Sequence, residues 1–110
     1  MNEKQRKILE EKFNIFEGTY TERKYLELEA WTNGGVDMII EVDILNNDII
    51  SELEDYLDNF DIDEEIDMYR QDKRYREAFR ITESVKDFEE WVEFIEETIK
   101  ELKEIEKWKQ

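Results

Sequence analysis

Carboxylates are the only abundant side chains in this sequence that could carry out chemistry. The 110 residues include 32 Asp and Glu against 16 Lys and Arg, which gives a formal net charge of −16, and there is no His and no Cys. The absence of imidazole and thiol groups excludes Ser–His triads, cysteine nucleophiles and zinc sites built on these ligands. Paired carboxylates can act in general acid–base catalysis, but in so acidic a chain neighbouring acids arise by chance. We therefore expect a protein that is not an enzyme.

Acidic residues alternate through residues 61–67 in a spacing that resembles the start of an EF-hand calcium loop. Counted from Asp61, the sixth position of an EF-hand loop is glycine, and here it is Ile66. The twelfth position is a bidentate Glu in an EF-hand, and here it is Asp72. The motif fails at its two most diagnostic positions, so we expect no metal site, and no Gly-rich loop or other motif indicates a cofactor.

The excess of acids belongs to one continuous segment. Residues 25–69 contain 15 acids and no Lys or Arg, whereas residues 1–24 hold 6 bases and 5 acids, and residues 70–110 hold 10 bases and 12 acids. A small domain needs a net charge of only about 2 to 8 for solubility, and a higher charge destabilises the fold by self-repulsion. The segment therefore favours a surface that binds a basic partner, with solubility alone as the alternative.

Two runs of alternating apolar residues predict an antiparallel β-hairpin with strands over 25–32 and 36–44. If residues 33–35 form a three-residue loop, the apolar side chains of both strands share one buried face. A two-residue loop would place Ala30 opposite Asp37 and break that face, because a slip of one residue inverts every side chain. We therefore predict the three-residue loop, with a glycine in the left-handed conformation.

The predicted register has a consequence for the outer face of the hairpin. It brings Glu27 opposite Glu41, and it places Trp31 beside the acids of that face. Like charges directly opposite each other destabilise a sheet by up to ~1 kcal/mol. The pair opposes folding unless a partner requires it, although a solvated pair can also be tolerated.

Helical periodicity predicts one helix before the hairpin and three after it. The first covers 3–17 and ends at Gly18, and the others cover 48–60, 63–79 and 85–107, with residues 61–69 open to either a helix or a short strand. The order predicts an α+β fold, in which helices cover a small antiparallel sheet, as a single domain over 1–110.

Start signals accompany each of the later helices. Asp48 or Ser51 suits the N-cap of the second helix, Asp63 that of the third, and Ser84 opens a capping-box sequence before the last. No apolar run is long enough for a membrane span, and the first eight residues are too polar for a signal peptide. We expect a soluble cytoplasmic protein.

Five bases interleaved with aromatic residues over 69–80 look in isolation like a nucleic-acid patch. Phosphate would be repelled by a molecule of this net charge, so we expect these bases to neutralise part of the acidic segment, with no direct binding of nucleic acid.

The acids of residues 25–69 could match the charge density of DNA. If most of them share one face of a domain about 30 Å across, they lie about one per 2 Å, close to the one charge per ~1.7 Å of duplex DNA. The predicted partner-binding residues are Glu27, Glu29, Trp31, Asp37, Glu41, Asp43, Asp48, Glu52, Asp55, Asp58, Asp61, Asp63, Glu64, Glu65 and Asp67.

This layout of a short helix, a hairpin and acidic helices resembles the Cas9-inhibiting anti-CRISPR proteins and the acidic antirestriction proteins of phages and mobile elements. Segments 60–67 and 84–91 also resemble small proteins of conjugative elements and phages, and the likeness spans roughly residues 25–105. The resemblance implies a DNA-mimicking inhibitor in a bacterial host cell, which occupies the basic groove of a defence nuclease, foremost a CRISPR effector such as Cas9. Such a layout is shared by unrelated folds, so no functional residue is carried over by position.

The alternative comes from a different class of protein. An acidic adaptor could act through an apolar helix face, as a homodimer through the predicted helix from Phe88 to Trp108. We expect a monomer, because the high net charge opposes self-association.

Overall fold

The fold is α+β, as predicted, with one three-stranded antiparallel sheet in the order β1-β2-β3. The computed structural model describes residues 2–20, 23–43, 48–71 and 81–107. Within these ranges the elements are α1 (Glu3–Lys12), β1 (Asn14–Tyr20), β2 (Arg23–Trp31), β3 (Asp37–Asp43), α2 (Ile49–Asn59), α3 (Ile62–Gln71) and α4 (Ile81–Lys107).

The hairpin of β2 and β3 has the predicted register and loop. The Thr32 N–H donates to the Val36 carbonyl at 2.9 Å, which closes a three-residue loop. Gly35 has a φ of 87°, the left-handed conformation that favours glycine. The paired positions on the inner face are Leu26–Val42, Leu28–Ile40 and Ala30–Met38.

The prediction of a helix as far as residue 17 was wrong. Helix α1 ends at Lys12, and Phe13 is already extended, with φ −129° and ψ 153°. The chain then forms β1, in which Ile15 lies opposite Leu28 on the inner face and Gly18 is a strand residue rather than a helix cap. A two-stranded hairpin is marginal in water, and the third strand supplies the additional pairing and apolar surface that an independent sheet needs.

The helices after the hairpin follow the predicted order, with different starting points. Asp48 is the N-cap of α2, since its carboxylate accepts the Ser51 N–H at 2.9 Å. Residues 62–71 are helical, which resolves the open alternative, but the cap is Asp61, whose Oδ1 accepts the Asp63 N–H at 2.9 Å. Asp63 as the N-cap was therefore wrong, and the predicted continuation over 72–79 lies outside the described residues.

Helix α4 begins at Ile81, so the capping box predicted at Ser84 was also wrong. Its apolar stripe lies in the core, against the inner face of the sheet and the other helices. Thr98 is a polar residue of this helix that is 0% exposed, and its hydroxyl donates to the Phe94 carbonyl at 2.8 Å. The fully buried side chains that fill this layer include Leu9, Leu26, Leu28, Ile40, Leu53, Phe88, Ile95 and Leu102.

A buried carboxylate connects α4 to the hairpin loop. Asp87 is only 4% exposed, and its Oδ1 accepts the Gly34 N–H at 3.0 Å. A Cβ at position 34 would lie 2.6 Å from Oδ1 and 2.8 Å from Cγ of Asp87, so glycine is required here by close approach. The contact joins residues 53 positions apart and fixes the end of the hairpin that carries Trp31.

We expect Gly34→Ala to destabilise the protein by about 1–3 kcal/mol, because the added methyl group forces Asp87 away and deprives its buried carboxylate of the hydrogen bond from the Gly34 N–H. In an Asp87→Ala background the same glycine change should cost much less, since the clash is gone. Urea unfolding of the two single variants and the double variant measures this coupling. Additive losses would contradict the close contact.

Candidate interaction surface on the open face of the sheet

The outer face of the sheet is open to solvent and carries exposed apolar side chains. The helices pack on the inner face, and Phe16, Trp31 and Ile39 on the other side are 52%, 61% and 49% exposed. In the described part of the chain only one further large apolar residue, Met68, is exposed to this extent. Exposed apolar side chains collected on one face indicate an interaction surface more strongly than the same side chains scattered singly.

Acidic side chains alternate with these apolar ones on the same face. Here the sheet acids are Glu27, Glu29, Asp37, Glu41 and Asp43. Glu27 lies opposite both Phe16 and Glu41, and Glu29 lies opposite Ile39. Asp37 lies opposite Trp31 at the loop end of the hairpin, which confirms the predicted outer-face register.

Most of the sheet acids have no salt-bridge partner in the described part of the chain. Among the described side chains, no Lys or Arg forms a salt bridge with Glu27, Glu29, Asp37 or Glu41. On β1, Glu17 forms an ion pair with Arg6 of α1 at 2.8 Å. The open face therefore presents uncompensated negative charge beside apolar side chains.

The remaining predicted residues lie in the helical layer and are not brought together with the sheet acids. We call this set the helix acids, and its members are Asp48, Glu52, Asp55, Asp58, Asp61, Asp63, Glu64, Glu65 and Asp67. Two of them, Asp48 and Asp61, cap helices with their carboxylates. The neighbouring Glu54 forms a 3.4 Å ion pair with Lys103 of α4. Part of the charge in this layer therefore has a structural role within the domain.

This division changes the charge density that a partner would meet. The seven residues of β3 span about 24 Å at roughly 3.4 Å per residue. Five sheet acids over that length amount to about one charge per 5 Å, against one per ~1.7 Å of duplex DNA. The expectation of a DNA-like density required all the acids on one face, and the sheet face alone is sparser and more apolar.

Two helix-layer carboxyl groups have perturbed protonation, for opposite reasons. The Ser51 N–H stabilises the Asp48 carboxylate and lowers the pKa of that group, so the stability it contributes is present above its ordinary pKa and lost as the pH falls through the lowered one. Partial burial raises the pKa of Glu65, with a smaller contribution from the charge of Glu64. Ionised Glu65 therefore opposes folding above its raised pKa, and this effect disappears on protonation at lower pH.

Burial also raises the pKa of Tyr56, against the effect of its hydrogen bond from Trp91. The Trp91 Nε1–H donates to the Tyr56 hydroxyl at 2.9 Å. Trp91 belongs to the hydrophobic core, and Tyr56 packs against it, so this hydrogen bond lies within the packed interior of the domain. Within the described residues no group of three or more acids is arranged to hold a metal ion. No described helix has both the length and the apolar composition to cross a bilayer.

Sequence reasoning missed two residues of this surface, Phe16 and Ile39. The predicted helix over 3–17 included Phe16, because its three-residue spacing from Phe13 fits one turn of an apolar helix face. The same spacing also fits a helix that ends at Phe13 and a strand that begins after it. The alternation of Ile15 inward and Phe16 outward is the signal that identifies β1. Ile39 was placed on the outer face by the register, but its apolar character was not recognised as part of the surface.

Comparisons of the chain with protein-family models, with curated proteins and with solved structures find no match. The surface itself therefore carries the functional argument.

The Glu27–Glu41 pair offers a direct test of whether the sheet face is maintained at a cost in stability. We expect Glu27→Gln to stabilise the protein by a few tenths to ~1 kcal/mol, because it removes a like-charge cross-strand pair. Glu29→Gln is the matched control, since Glu29 faces Ile39 and has no acid directly opposite. Urea midpoints at low salt measure both effects, and an equal change in the two variants would contradict the pairwise repulsion.

Proposed function

We propose that this chain is a non-enzymatic binding protein whose open sheet face occupies the basic nucleic-acid groove of another protein. The candidate partner is a bacterial defence nuclease, foremost a CRISPR effector such as Cas9 or else a restriction nuclease. The observation that carries the proposal is the combination on one face of four acids without a salt bridge among the described side chains and the exposed side chains of Phe16, Trp31 and Ile39. The four acids are Glu27, Glu29, Asp37 and Glu41.

The carboxylates account for the choice of a basic partner. Carboxylates accept bidentate hydrogen bonds from arginine, as phosphates do, and a face of one charge sign accelerates association with a face of the opposite sign. Grooves that bind nucleic acid are lined by Lys and Arg, so they offer the complementary charge. The retained Glu27–Glu41 repulsion supports the proposal, because a bound cation would relieve it.

The apolar residues distinguish this surface from a simple polyanion. Binding energy at protein interfaces concentrates in a few anchors, and tryptophan is among the commonest. Trp31 is exposed at the loop end of the hairpin and held there by the Asp87–Gly34 contact. A partner that engages both acids and anchors would be bound with less salt dependence than duplex DNA, whose affinity depends mainly on phosphate contacts.

The adaptor alternative relied on an apolar face of the last helix. Over the described side chains, that face is buried inside the domain, with Phe88, Trp91 and Ile95 all at 2% exposure or less. Trp108, the other residue of that prediction, lies outside the described residues. The described part of α4 thus offers no apolar face for a dimer, and the sheet face is the better-supported surface.

The test is inhibition of target-DNA cleavage by a panel of purified Cas9-type effectors and restriction nucleases. We expect inhibition by the parent that weakens across about 50–300 mM salt, as charge-mediated binding does. Glu27→Gln with Glu41→Gln should reduce inhibition strongly. Asp63→Asn with Glu64→Gln removes the same charge from exposed positions of α3 and should reduce it little.

Equal loss from the two double variants would show that net charge, and not the sheet face, is responsible. No inhibition by the parent of any nuclease in the panel would refute the proposed partner class. Unfolding midpoints of both variants serve as the control that the domain remains folded.

A further inference from the structure

A cleft opens beside the sheet face, at the place where β2 extends past the start of β1. Asn14 begins β1 and pairs with Glu29, so residues 30–33 continue without a strand on that edge in the described structure. The C-terminal turn of α1 and the middle of α4 form the other walls. The cleft measures about 370 Å³, within the range of roughly 300–1,000 Å³ typical of ligand pockets.

Aromatic rings form much of this cleft. Trp91 and Phe94 of α4 are stacked, with centroids 5.8 Å apart and planes at 24°, and Phe13 contacts Phe94 edge-on at 5.2 Å. Trp31, at the opposite wall, is largely exposed. Flat aromatic surfaces of this kind bind planar apolar groups and, through their negative faces, cations.

The charges around the cleft favour a cation. Four acids and one base line it, and the base, Lys12, is already paired with Glu101 at 3.4 Å. Glu10 is paired with Arg6 at 3.0 Å. The other acids that line it, Glu11, Glu29 and Glu90, have no salt-bridge partner among the described side chains. Helix α1 ends at the cleft, and a helix C-terminus adds partial negative charge.

The chain itself provides an example of the interaction. The Lys12 ammonium lies 5.2 Å from the centroid of the Phe94 ring, in a cation–π contact at one side of the cleft. That contact shows that the aromatic wall accepts a positive group when a carboxylate is nearby. The other side of the cleft offers the same combination of an aromatic ring and a carboxylate, in Trp31 with Glu29 and Glu90. Among the described residues, no Lys or Arg of this chain lines that side.

We propose that this cleft receives an arginine side chain of the partner protein, with the guanidinium stacked on Trp31 and paired with Glu29 or Glu90. Arginine suits the site better than lysine, because its planar group stacks on rings and its fork of N–H donors matches a carboxylate. Glu29 and Trp31 belong to both the cleft and the sheet face, so one partner can engage the two together. The inference deepens the proposed function and rests on it for the identity of the partner as a basic protein.

The experiment titrates the full chain with three blocked tripeptides, acetyl-Gly-Xaa-Gly-amide, in which Xaa is arginine, lysine or citrulline. Citrulline keeps the shape of arginine without its charge. In ¹H–¹⁵N spectra we expect the arginine peptide to give saturable shifts of the Trp31 indole and of amides at residues 29–33. Lysine should bind more weakly, and citrulline should give no saturable shift.

Three variants locate the site. Glu90→Gln should weaken arginine-peptide binding by about two- to fivefold, the effect of losing one partly exposed ion pair. Glu93→Gln, an exposed acid on the same helix that does not line the cleft, should leave it unchanged. Glu29→Gln provides a second cleft variant on a different element, in case the α4 change disturbs folding.

Equal shifts from the arginine and citrulline peptides, equal binding of arginine and lysine, or equal effects of the Glu90 and Glu93 variants would overturn the assignment. This readout needs no nuclease, so it is separable from the test of the proposed function. Peptide binding without nuclease inhibition would support the arginine site and refute the proposed partner class. Inhibition without peptide binding would support the partner class and refute the arginine site.

Discussion

The packing of Trp91 against three other aromatic side chains holds the helices of this protein together. Its ring lies 6.2 Å from Phe13 at the end of α1, 6.4 Å from Tyr56 of α2 and 5.8 Å from Phe94 within α4, and its N–H is satisfied by Tyr56. These contacts join three helices in one layer on the inner face of the sheet. A sheet of three antiparallel strands can be stable with one face solvated. With the described helices on the inner side, the outer face keeps Phe16, Trp31 and Ile39 exposed to solvent.

The second constraint is electrostatic. A base-free stretch of 45 residues folds here by separating its charge between a sheet face and a helical layer. In the helical layer some acids work locally, as Asp48 and Asp61 do when they cap helices. On the sheet face Glu27 and Glu41 oppose each other and gain nothing locally from their position. A local conflict of this kind is typical of a functional surface rather than of a structural one.

Much of the architecture follows from local patterns, and the exceptions have physical reasons. The hairpin register was predictable because a one-residue slip would bury Asp37. The N-cap of α2 was predictable only to Asp48 or Ser51, since both residue types can accept hydrogen bonds from the first turn of a helix. Strand β1 was not, since Phe13 and Phe16 fit a helical stripe until a pairing partner is known. The Asp87–Gly34 contact joins positions far apart in sequence, and no local pattern reports it. The sheet acids of the candidate surface were predictable from the hairpin register. Their separation from the helix acids was not, because it depends on tertiary packing.

Our central proposal is that the open sheet face takes the place of nucleic acid in a basic groove. The most direct measurement follows the fluorescence anisotropy of labelled duplex DNA bound to a target nuclease while the chain is added. The titration is repeated at several salt concentrations, which vary the affinity of the nuclease for DNA. The account predicts full displacement, with the apparent dissociation constant of the DNA rising linearly and without limit as the concentration of the chain increases. An apparent constant that reaches a plateau, with DNA and chain bound to the nuclease together, would contradict it.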